Sequence, residues 1–334
     1  MLEKPDIRDE VLIDALRAEY LIPVTGVAFL PVGNDPSAWS YRVDTEDRNT
    51  FFLKIRTELE NPAGFLVPRF LSDCGVEQVL APLLTKNQEL WCGVEDFFFI
   101  LYPFLKGIEA MESGMSDAQW NELGRTLKRI HATQLPPSLS RSVQREPFIP
   151  KWGTYVREVH KRVVEEEFDD PYQKELALCW KDRYEVIQTL IERTETIGSH
   201  LRQTDPKLVL CHADIHTANI LLTPDQKMFI VDWDGTLLAP KERDLMFVLE
   251  GDTICRREEQ IFLDGYGDTA WNPLILAYYR YEWCIQEIGD YGKRVFSKND
   301  VGERTRRDAL AGFMQLFSPA DVVEAALKTY GNLK

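Results

Sequence analysis

Three short apolar runs with polar residues at their ends, all within residues 207–236, constrain the fold more than any other part of the sequence. Residues 208–210, 220–222 and 228–231 have the length and apolar character of buried strands. Residues 223–227, between the last two runs, contain Pro and Asp and therefore favour a turn. The sequence predicts that the second and third runs form a β-hairpin.

Polar side chains lie at the open end of this predicted hairpin. Asp214 and Asn219 precede it, and Asp232 and Asp234 follow it. Because an antiparallel hairpin brings its entry and exit together, we expect Asp214, Asn219 and Asp232 to converge. Carboxylate and amide oxygens suit Mg²⁺, which also takes phosphate oxygens, and a carboxylate not bound to the metal can orient an attacking hydroxyl group. The pattern predicts a site for phosphoryl transfer.

The order of these residues resembles that of a known family. The motif reads His212-x-Asp214-x-x-x-x-Asn219, an apolar hairpin, and then Asp232-Trp233-Asp234. It is similar to the catalytic and metal-binding loops of the aminoglycoside phosphotransferase family, which has the protein-kinase-like fold. Residues 239–245 and 278–282 are most similar to its spectinomycin phosphotransferase branch. The resemblance implies that Asp214 is the catalytic residue and that Asn219 and Asp232 bind Mg²⁺.

The resemblance also implies a fold and a donor. We expect an α+β, two-lobed protein-kinase-like fold that binds ATP and Mg²⁺. Residues 1–105 would form a nucleotide-binding lobe with a small antiparallel sheet, and residues 106–334 a larger, mostly helical lobe that binds the substrate. Residues 135–200, approximately, resemble the helical insertion where the family varies for substrate. Members of the family often have Gly where this chain has Ala213 and Ala218.

A lysine within an apolar strand is the first candidate for binding nucleotide. Residues 27–32, 40–43 and 51–55 have strand character, and Lys54 lies in the third run. A buried Lys must be paired, although a solvent-facing Lys on a half-exposed strand remains the alternative. The resemblance implies that Lys54 contacts ATP phosphates and a helix carboxylate, either Glu60 or Glu58. Pro62 and Pro68 are expected to interrupt the segment where the family has that helix.

Two further segments are expected to contact the nucleotide. The turn at Gly33 would cover the phosphates. Residues 79–84 and 97–101 also have strand character, and the apolar run 97–104 ends at a proline. That run resembles the strand that leads into the hinge of the family, so the backbone around Tyr102 and Phe104 would contact adenine. Gly33, Tyr102 and Phe104 are therefore candidate ATP-binding residues.

Candidates for binding the acceptor come from several places in the chain. Residues 274–288 have helical periodicity, with Glu282 and Asp290 on the polar side of the predicted helix or just beyond it. They could complete an acidic pocket for a cation or could simply be solvated. Asp234 and His216, next to the central motif, are further candidates. His212 is expected to brace the catalytic loop through hydrogen bonds.

Composition limits the partners of the chain. The 334 residues carry a net charge of −15, which does not favour nucleic acid or anionic membranes and favours small cationic ligands. The six cysteines show no zinc-type spacing, and neither a signal peptide nor a long apolar segment is visible. We expect a cytoplasmic protein, monomeric or homodimeric, with nucleotide and a small molecule as its partners.

The predicted function is ATP- and Mg²⁺-dependent phosphorylation of a hydroxyl group on a small cationic substrate. The resemblance favours spectinomycin or a related aminoglycoside or aminocyclitol antibiotic, and hence a role in resistance. A metabolic kinase of the choline, fructosamine or homoserine type is the alternative. A catalytically idle nucleotide-binding relative and a metal-dependent hydrolase are less favoured, because neither would need Lys54 together with Asp214, Asn219 and Asp232. GTP could replace ATP as the donor.

Overall fold

The computed structural model describes residues 3–33, 35, 37–59, 61–249, 256–296, 301–318 and 322–331. Internal contacts group the chain into two compact units. The first comprises residues 1–144 and 210–238, and the second comprises residues 145–209 and 239–334. The predicted boundary at residue 105 stays a prediction.

A five-stranded antiparallel sheet dominates the early part of the first unit. Its strands are β1 (Val24–Leu30), β2 (Ala38–Thr45), β3 (Thr50–Arg56), β4 (Cys92–Val94) and β5 (Phe97–Pro103), in the spatial order β1-β2-β3-β5-β4. Helix α1 (Asp9–Tyr20) packs on one face, where Leu12 and Leu16 join Leu53 and Ile55 in a fully buried core. The apolar runs that predicted β1, β2, β3 and β5 therefore form strands.

Helix α2 (Ala63–Asp73) follows strand β3 in the chain, and it contradicts the expectation that prolines interrupt this segment. It begins directly after Pro62 and continues through Pro68, which was expected to interrupt it. An internal proline costs about 3 kcal/mol. Phe65, Val67 and Leu71 are almost completely buried, and each such side chain contributes roughly 1.5–3 kcal/mol. Burial of this apolar face therefore outweighs the lost hydrogen bond.

The predicted hairpin is present in the first unit. Strands β8 (Ile220–Leu222) and β9 (Met228–Ile230) pair antiparallel, and β6 (Ile108–Glu109) pairs with β8. Strands β7 (Val209–Cys211) and β10 (Leu237–Ala239) flank the hairpin in the chain. The strand predicted at residues 79–84 is wrong, since only Val79 forms a bridge, to Ile230. Pro82 has no N–H group with which to continue a strand ladder.

Three helices complete the first unit: α3 (Ala110–Ser113), α4 (Asp117–Ala132) and α5 (Pro137–Ser140). Helix α4 begins with a capping box. The Ser116 hydroxyl accepts a hydrogen bond from the Gln119 N–H group, and the Gln119 side chain accepts one from the Ser116 N–H group. Trp120, Leu123 and Leu127 then lie on a buried face of α4.

The second unit is helical. Its elements are α6 (Gly153–Glu165), α7 (Pro171–Thr204), α8 (Glu242–Leu245), α9 (Arg256–Tyr266), α10 (Pro273–Phe296), α11 (Glu303–Gln315) and α12 (Val322–Gly331). Helix α10 is central and packs against α6, α7, α8, α11 and α12. Two of its glycines permit close approach: a Cβ on Gly289 would lie 2.6 Å from the Trp152 ring, and one on Gly292 would lie 3.2 Å from the Trp180 ring.

The architecture is the predicted α+β kinase-like fold, with a five-stranded antiparallel sheet followed by mostly helical structure. Within the described ranges, no helix combines the length and the hydropathy that crossing a membrane requires.

Candidate active site

Strand β3 presents two cations on one face of the sheet. Successive side chains of a strand point to opposite faces. Leu53 and Ile55 are completely buried in the core under α1, so Lys54 and Arg56 lie on the other face. Both are largely buried, with 16% of the Lys54 side chain and 8% of the Arg56 side chain exposed. Buried cations need carboxylate partners.

Lys54 finds these partners in the segment that leaves the hairpin. Its Nζ lies 2.8 Å from Asp234 Oδ2 and 3.2 Å from Asp232 Oδ1. Burial disfavours the charged ammonium group, but the two carboxylates outweigh burial and raise the pKa of Lys54. The structure thus brings Lys54 together with Asp232 and Asp234, which lie about 180 residues further along the sequence.

Arg56 shares the same carboxylate. Its Nη1 lies 2.5 Å from Asp234 Oδ2, and its Nη2 lies 2.8 Å from Asp35 Oδ2. Burial opposes ionisation of Asp234, but Lys54 and Arg56 outweigh it and hold the pKa of Asp234 well below its usual range. Sequence reasoning missed Arg56 and Asp35. The signal was the alternation of β3, which places residue 56 on the face of residue 54.

The loop that enters the hairpin places Asp214 beside Asn219. The Asn219 side-chain amide donates to the Asp214 backbone oxygen at 2.8 Å and to Asp214 Oδ2 at 3.0 Å. His216 Nε2 lies 3.5 Å from Asp214 Oδ2 and 3.3 Å from Asn219 Nδ2. The Asn219 carbonyl accepts from the Val231 N–H group at 3.0 Å. The hairpin therefore places Asn219 next to the segment that continues into Asp232.

His212 braces this loop, as its sequence position suggests. It is completely buried. Its Nδ1 accepts from the Asp214 N–H group at 3.2 Å, and its Nε2 lies 2.9 Å from the Val231 carbonyl oxygen. A neutral imidazole protonated on Nε2 satisfies both contacts. His212 thus connects the entry of the hairpin to its exit.

Two residues of the motif have left-handed backbone conformations. Ala213 has φ 72° and Asp232 has φ 60°. Such angles cost a non-glycine residue roughly 1–2 kcal/mol, and they recur at functional sites. The Ala at position 213, where the family often has Gly, therefore changes backbone energetics as well as size.

The donor set at the open end of the hairpin fits a hard divalent cation. Asp232 offers a half-exposed carboxylate. Asn219 uses its amide nitrogen to bond Asp214, which leaves its Oδ1 available for another contact. Lys54 favours ionisation of Asp232, but its partial burial and the charges of Asp234 and Asp214 oppose ionisation and raise the pKa of Asp232. A bound cation would relieve this repulsion, and oxygen-only ligands are those that Mg²⁺ prefers.

The other residues predicted to contact the nucleotide lie on or next to strands of the five-stranded sheet. Tyr102 is paired with Phe52 across β5 and β3, and the Phe104 N–H group donates to the Thr50 carbonyl oxygen at 3.3 Å. Gly33 follows β1 with φ 83°. A Cβ there would meet no atom within 4 Å, so the backbone angle, rather than space, favours glycine at this position.

The sequence predicted Glu60 or Glu58 as the carboxylate partner of Lys54. Glu60, the first choice, lies outside the described residues, and Glu58 is exposed. The carboxylates that contact Lys54 among the described residues are those of Asp232 and Asp234, and the pairing with Glu60 stays a prediction. Asn61, which sequence reasoning did not single out, supports them. Its side-chain amide donates to the backbone oxygens of Asp234 and Thr236, each at 3.0 Å.

The two acidic candidates on α10 belong to the second unit. Asp290 forms an ion pair with Arg294 one turn further along the helix. Glu282 is partly buried, and its charge helps to raise the pKa of Glu146, for which burial is the main cause. Glu146, a residue without a sequence signal of its own, also accepts from the Phe148 N–H group at 2.7 Å. Glu282 therefore lies near a second carboxylate, whereas Asp290 already has a cationic partner.

Solved structures that are similar to this chain include phosphotransferases of small molecules. A spectinomycin phosphotransferase solved with ADP and spectinomycin has a TM-score of 0.87 and 30% sequence identity, covering 98% of this chain and 99% of that chain. Its AMP-bound complex has a TM-score of 0.82 and 29% identity, covering 96% and 98%. Protein StrN of Streptomyces griseus is 26% identical over 283 residues, which are 80% of this chain and 79% of that protein.

The fold and these similarities define a phosphotransferase that acts on a small molecule. The model of the phosphotransferase enzyme family matches residues 28–279, and the chain belongs to that family. The resemblance noted in the sequence is confirmed.

Proposed function

We propose that this protein transfers the γ-phosphoryl group of Mg-ATP to a hydroxyl group of a small cationic acceptor, with spectinomycin or a related aminocyclitol as the acceptor. The observation that carries the proposal is the convergence of Lys54, Asp232 and Asp234 with the Asp214–Asn219 pair at the open end of one hairpin. Phosphoryl transfer needs a cation for phosphate, oxygen ligands for Mg²⁺ and a carboxylate for the acceptor hydroxyl. This cluster contains all three.

Lys54 is the donor-side cation in this proposal. Its two carboxylate contacts hold the ammonium group charged and in place. In the nucleotide complex the Lys54 ammonium group would also donate hydrogen bonds to the phosphate oxygens. The backbone around Tyr102 and Phe104 would contact adenine, and the turn at Gly33 would cover the phosphates. The ADP- and AMP-bound states of the similar phosphotransferases support a nucleotide as the donor.

Asn219 and Asp232 would hold Mg²⁺, and an ion there supplies charge neutralisation for the phosphate oxygens. Asp214 would accept a hydrogen bond from the acceptor hydroxyl and take its proton as the new O–P bond forms. The Asn219 amide fixes the Asp214 carboxylate by donating to it, and His212 fixes the Asp214 backbone. Placement of the hydroxyl group and electrostatic stabilisation would then provide most of the rate acceleration.

The choice of acceptor rests on charge and similarity. The chain carries a net charge of −15, which favours a cationic ligand. The similar enzyme at 30% identity was solved with spectinomycin. Of the two acidic candidates on α10, Glu282 is favoured, because Arg294 already neutralises Asp290. Asp234 is engaged by two cations, so His216 is the favoured contact beside Asp214.

The test is mass spectrometry of candidate acceptors after incubation with Mg-ATP. The panel contains spectinomycin, a kanamycin-type aminoglycoside, choline and a simple amino sugar, with GTP as an alternative donor. We expect spectinomycin to gain one phosphoryl group and one equivalent of ADP to appear. Phosphorylation of choline alone would refute the proposed acceptor. ATP consumption without any phosphorylated acceptor would refute the proposed reaction.

A further inference from the structure

Arg56 joins two segments that are far apart in the sequence. Its guanidinium group contacts Asp35, in the loop between β1 and β2, and Asp234, in the segment after the hairpin. The two contacts use different nitrogens, Nη2 and Nη1, at 2.8 and 2.5 Å. A planar guanidinium group can hold two carboxylates in this way, whereas an ammonium group has no such fixed geometry.

The burial of Arg56 makes this bridge more than a surface ion pair. Only 8% of its side chain is exposed. Its Nε is buried and has no hydrogen-bond partner among the described residues. Removing one partner of a buried ion pair is strongly destabilising, whereas exposed pairs contribute little. The positions of Asp35 and Asp234 are therefore coupled through Arg56.

Asp35 transmits that coupling to the backbone of its loop. Its Oδ1 accepts from the Ser37 N–H group at 2.8 Å and from the Ser37 hydroxyl at 2.6 Å, while its Oδ2 contacts Arg56. Ser37 is fixed in turn, because its carbonyl accepts from the Thr57 N–H group at 3.1 Å. One carboxylate thus connects Ser37, directly before β2, to Arg56 at the end of β3.

Asp234 connects the same bridge to Lys54. Its Oδ2 accepts from Arg56 and, at 2.8 Å, from Lys54 Nζ. Charge-assisted hydrogen bonds thus run without a break from Asp35 through Arg56 and Asp234 to Lys54. Such bonds are shorter and stronger than neutral ones.

We propose that Arg56 is a positioning residue for the nucleotide. It fixes the loop around Asp35 relative to Asp234 and Lys54, so that the loop and the phosphate-binding cation are set together before the donor arrives. This inference rests on the proposed function, because it assigns the loop and Lys54 to the phosphates. It adds Arg56 and Asp35 to the residues that determine nucleotide affinity, although neither would touch the reacting atoms.

The experiment is calorimetric titration of the full chain with Mg-ADP, accompanied by thermal unfolding of each variant. Arg56→Met should weaken Mg-ADP binding about tenfold, and Asp35→Asn about fivefold, because each breaks the bridge. The double variant should bind within about twofold of Arg56→Met alone, because the two changes act through one contact. The Mg-ADP affinity of Arg56→Lys should lie between those of wild type and Arg56→Met, since an ammonium group lacks the planar geometry that holds both carboxylates.

The matched controls are Arg69→Met and Asp73→Asn. Arg69 and Asp73 form an exposed ion pair on α2 in the same unit, and their loss should leave Mg-ADP affinity within about twofold of wild type. Asp35→Asn keeps the inference testable if Arg56→Met does not fold, because the Asp35 side chain is 37% exposed.

Unchanged affinity in the Asp35→Asn variant, or additive effects of the two changes, would overturn the role of Arg56 and leave the proposed function intact. Absence of Mg-ADP binding to the wild-type chain would instead refute the proposed function and this inference with it.

Discussion

A methyl group added at Gly64 should disturb the site from outside it. Gly64 lies in the first turn of α2, where a Cβ would be 3.1 Å from the Trp233 carbonyl oxygen and 3.2 Å from the Asp234 Cα. Both neighbours are backbone atoms, which cannot rotate away, so the segment must shift by a few tenths of an ångström. Gly64→Ala therefore moves the carboxylate on which Lys54 and Arg56 converge.

The expected magnitude follows from two opposing effects. Replacing Gly by Ala in a helix usually stabilises a protein by about 0.5–1 kcal/mol, and somewhat less in a first turn. Overpacking against fixed backbone costs roughly 1–3 kcal/mol. The free energy of unfolding should therefore fall by about 1–2 kcal/mol, which lowers the melting temperature by roughly 2–4 °C per kcal/mol. Mg-ADP affinity should fall several-fold.

Differential scanning calorimetry and Mg-ADP titration measure the two effects. Gly153→Ala is the matched control, because Gly153 also lies in the first turn of a helix and a Cβ there would make an ordinary contact with the Pro150 ring at 3.6 Å. The control should leave Mg-ADP affinity unchanged and should raise the free energy of unfolding by up to about 1 kcal/mol. Gly64→Ala with the stability and affinity of this control would refute the argument that the close approach of α2 sets the position of Asp234.

Three other substitutions test separate parts of the account. Lys54→Met should weaken Mg-ADP binding at least about tenfold, and unchanged affinity in the titration would contradict its role. Ala213→Gly should raise the free energy of unfolding by up to about 1 kcal/mol, because relief of the strain at the left-handed φ outweighs the greater conformational entropy that glycine gives the unfolded chain. A less stable variant would contradict this prediction. Burial raises the pKa of Glu146 from 4.5, so ionisation opposes folding above that pH. Glu146→Gln should gain in melting temperature over wild type as the pH rises from 4 to 7, and a constant difference would contradict the assignment.

The central hairpin could be predicted from the sequence because its signals are local. Short apolar runs, a turn and polar residues at the strand ends specify β8 and β9 and bring Asn219 beside the segment of Asp232. The capping box at Ser116 is equally local. The roles of Asp214, Asn219 and Asp232 came from the resemblance to a family and stay proposals.

Other features depend on long-range packing, which a single sequence does not display. Helix α2 continues through Pro68 because the burial of Phe65 and Leu71 outweighs the energetic cost of a proline inside a helix. Asp232 and Asp234, which contact Lys54, lie about 180 residues further along the chain, so no local pattern pairs them with Lys54. Arg56 was overlooked because it follows the apolar run that identified the strand.

The central claim is that Asp214 activates the acceptor hydroxyl in a kinase reaction. The most direct measurement is the initial rate of ADP release with Mg-ATP and spectinomycin, compared between wild type and Asp214→Asn. Asp225→Asn is the control, because Asp225 is an exposed carboxylate in the turn at the other end of the same hairpin. We predict a rate loss of about 10²-fold or more for Asp214→Asn, with Mg-ADP affinity and melting temperature near those of wild type. Turnover of Asp214→Asn at the rate of the Asp225→Asn control would contradict the claim.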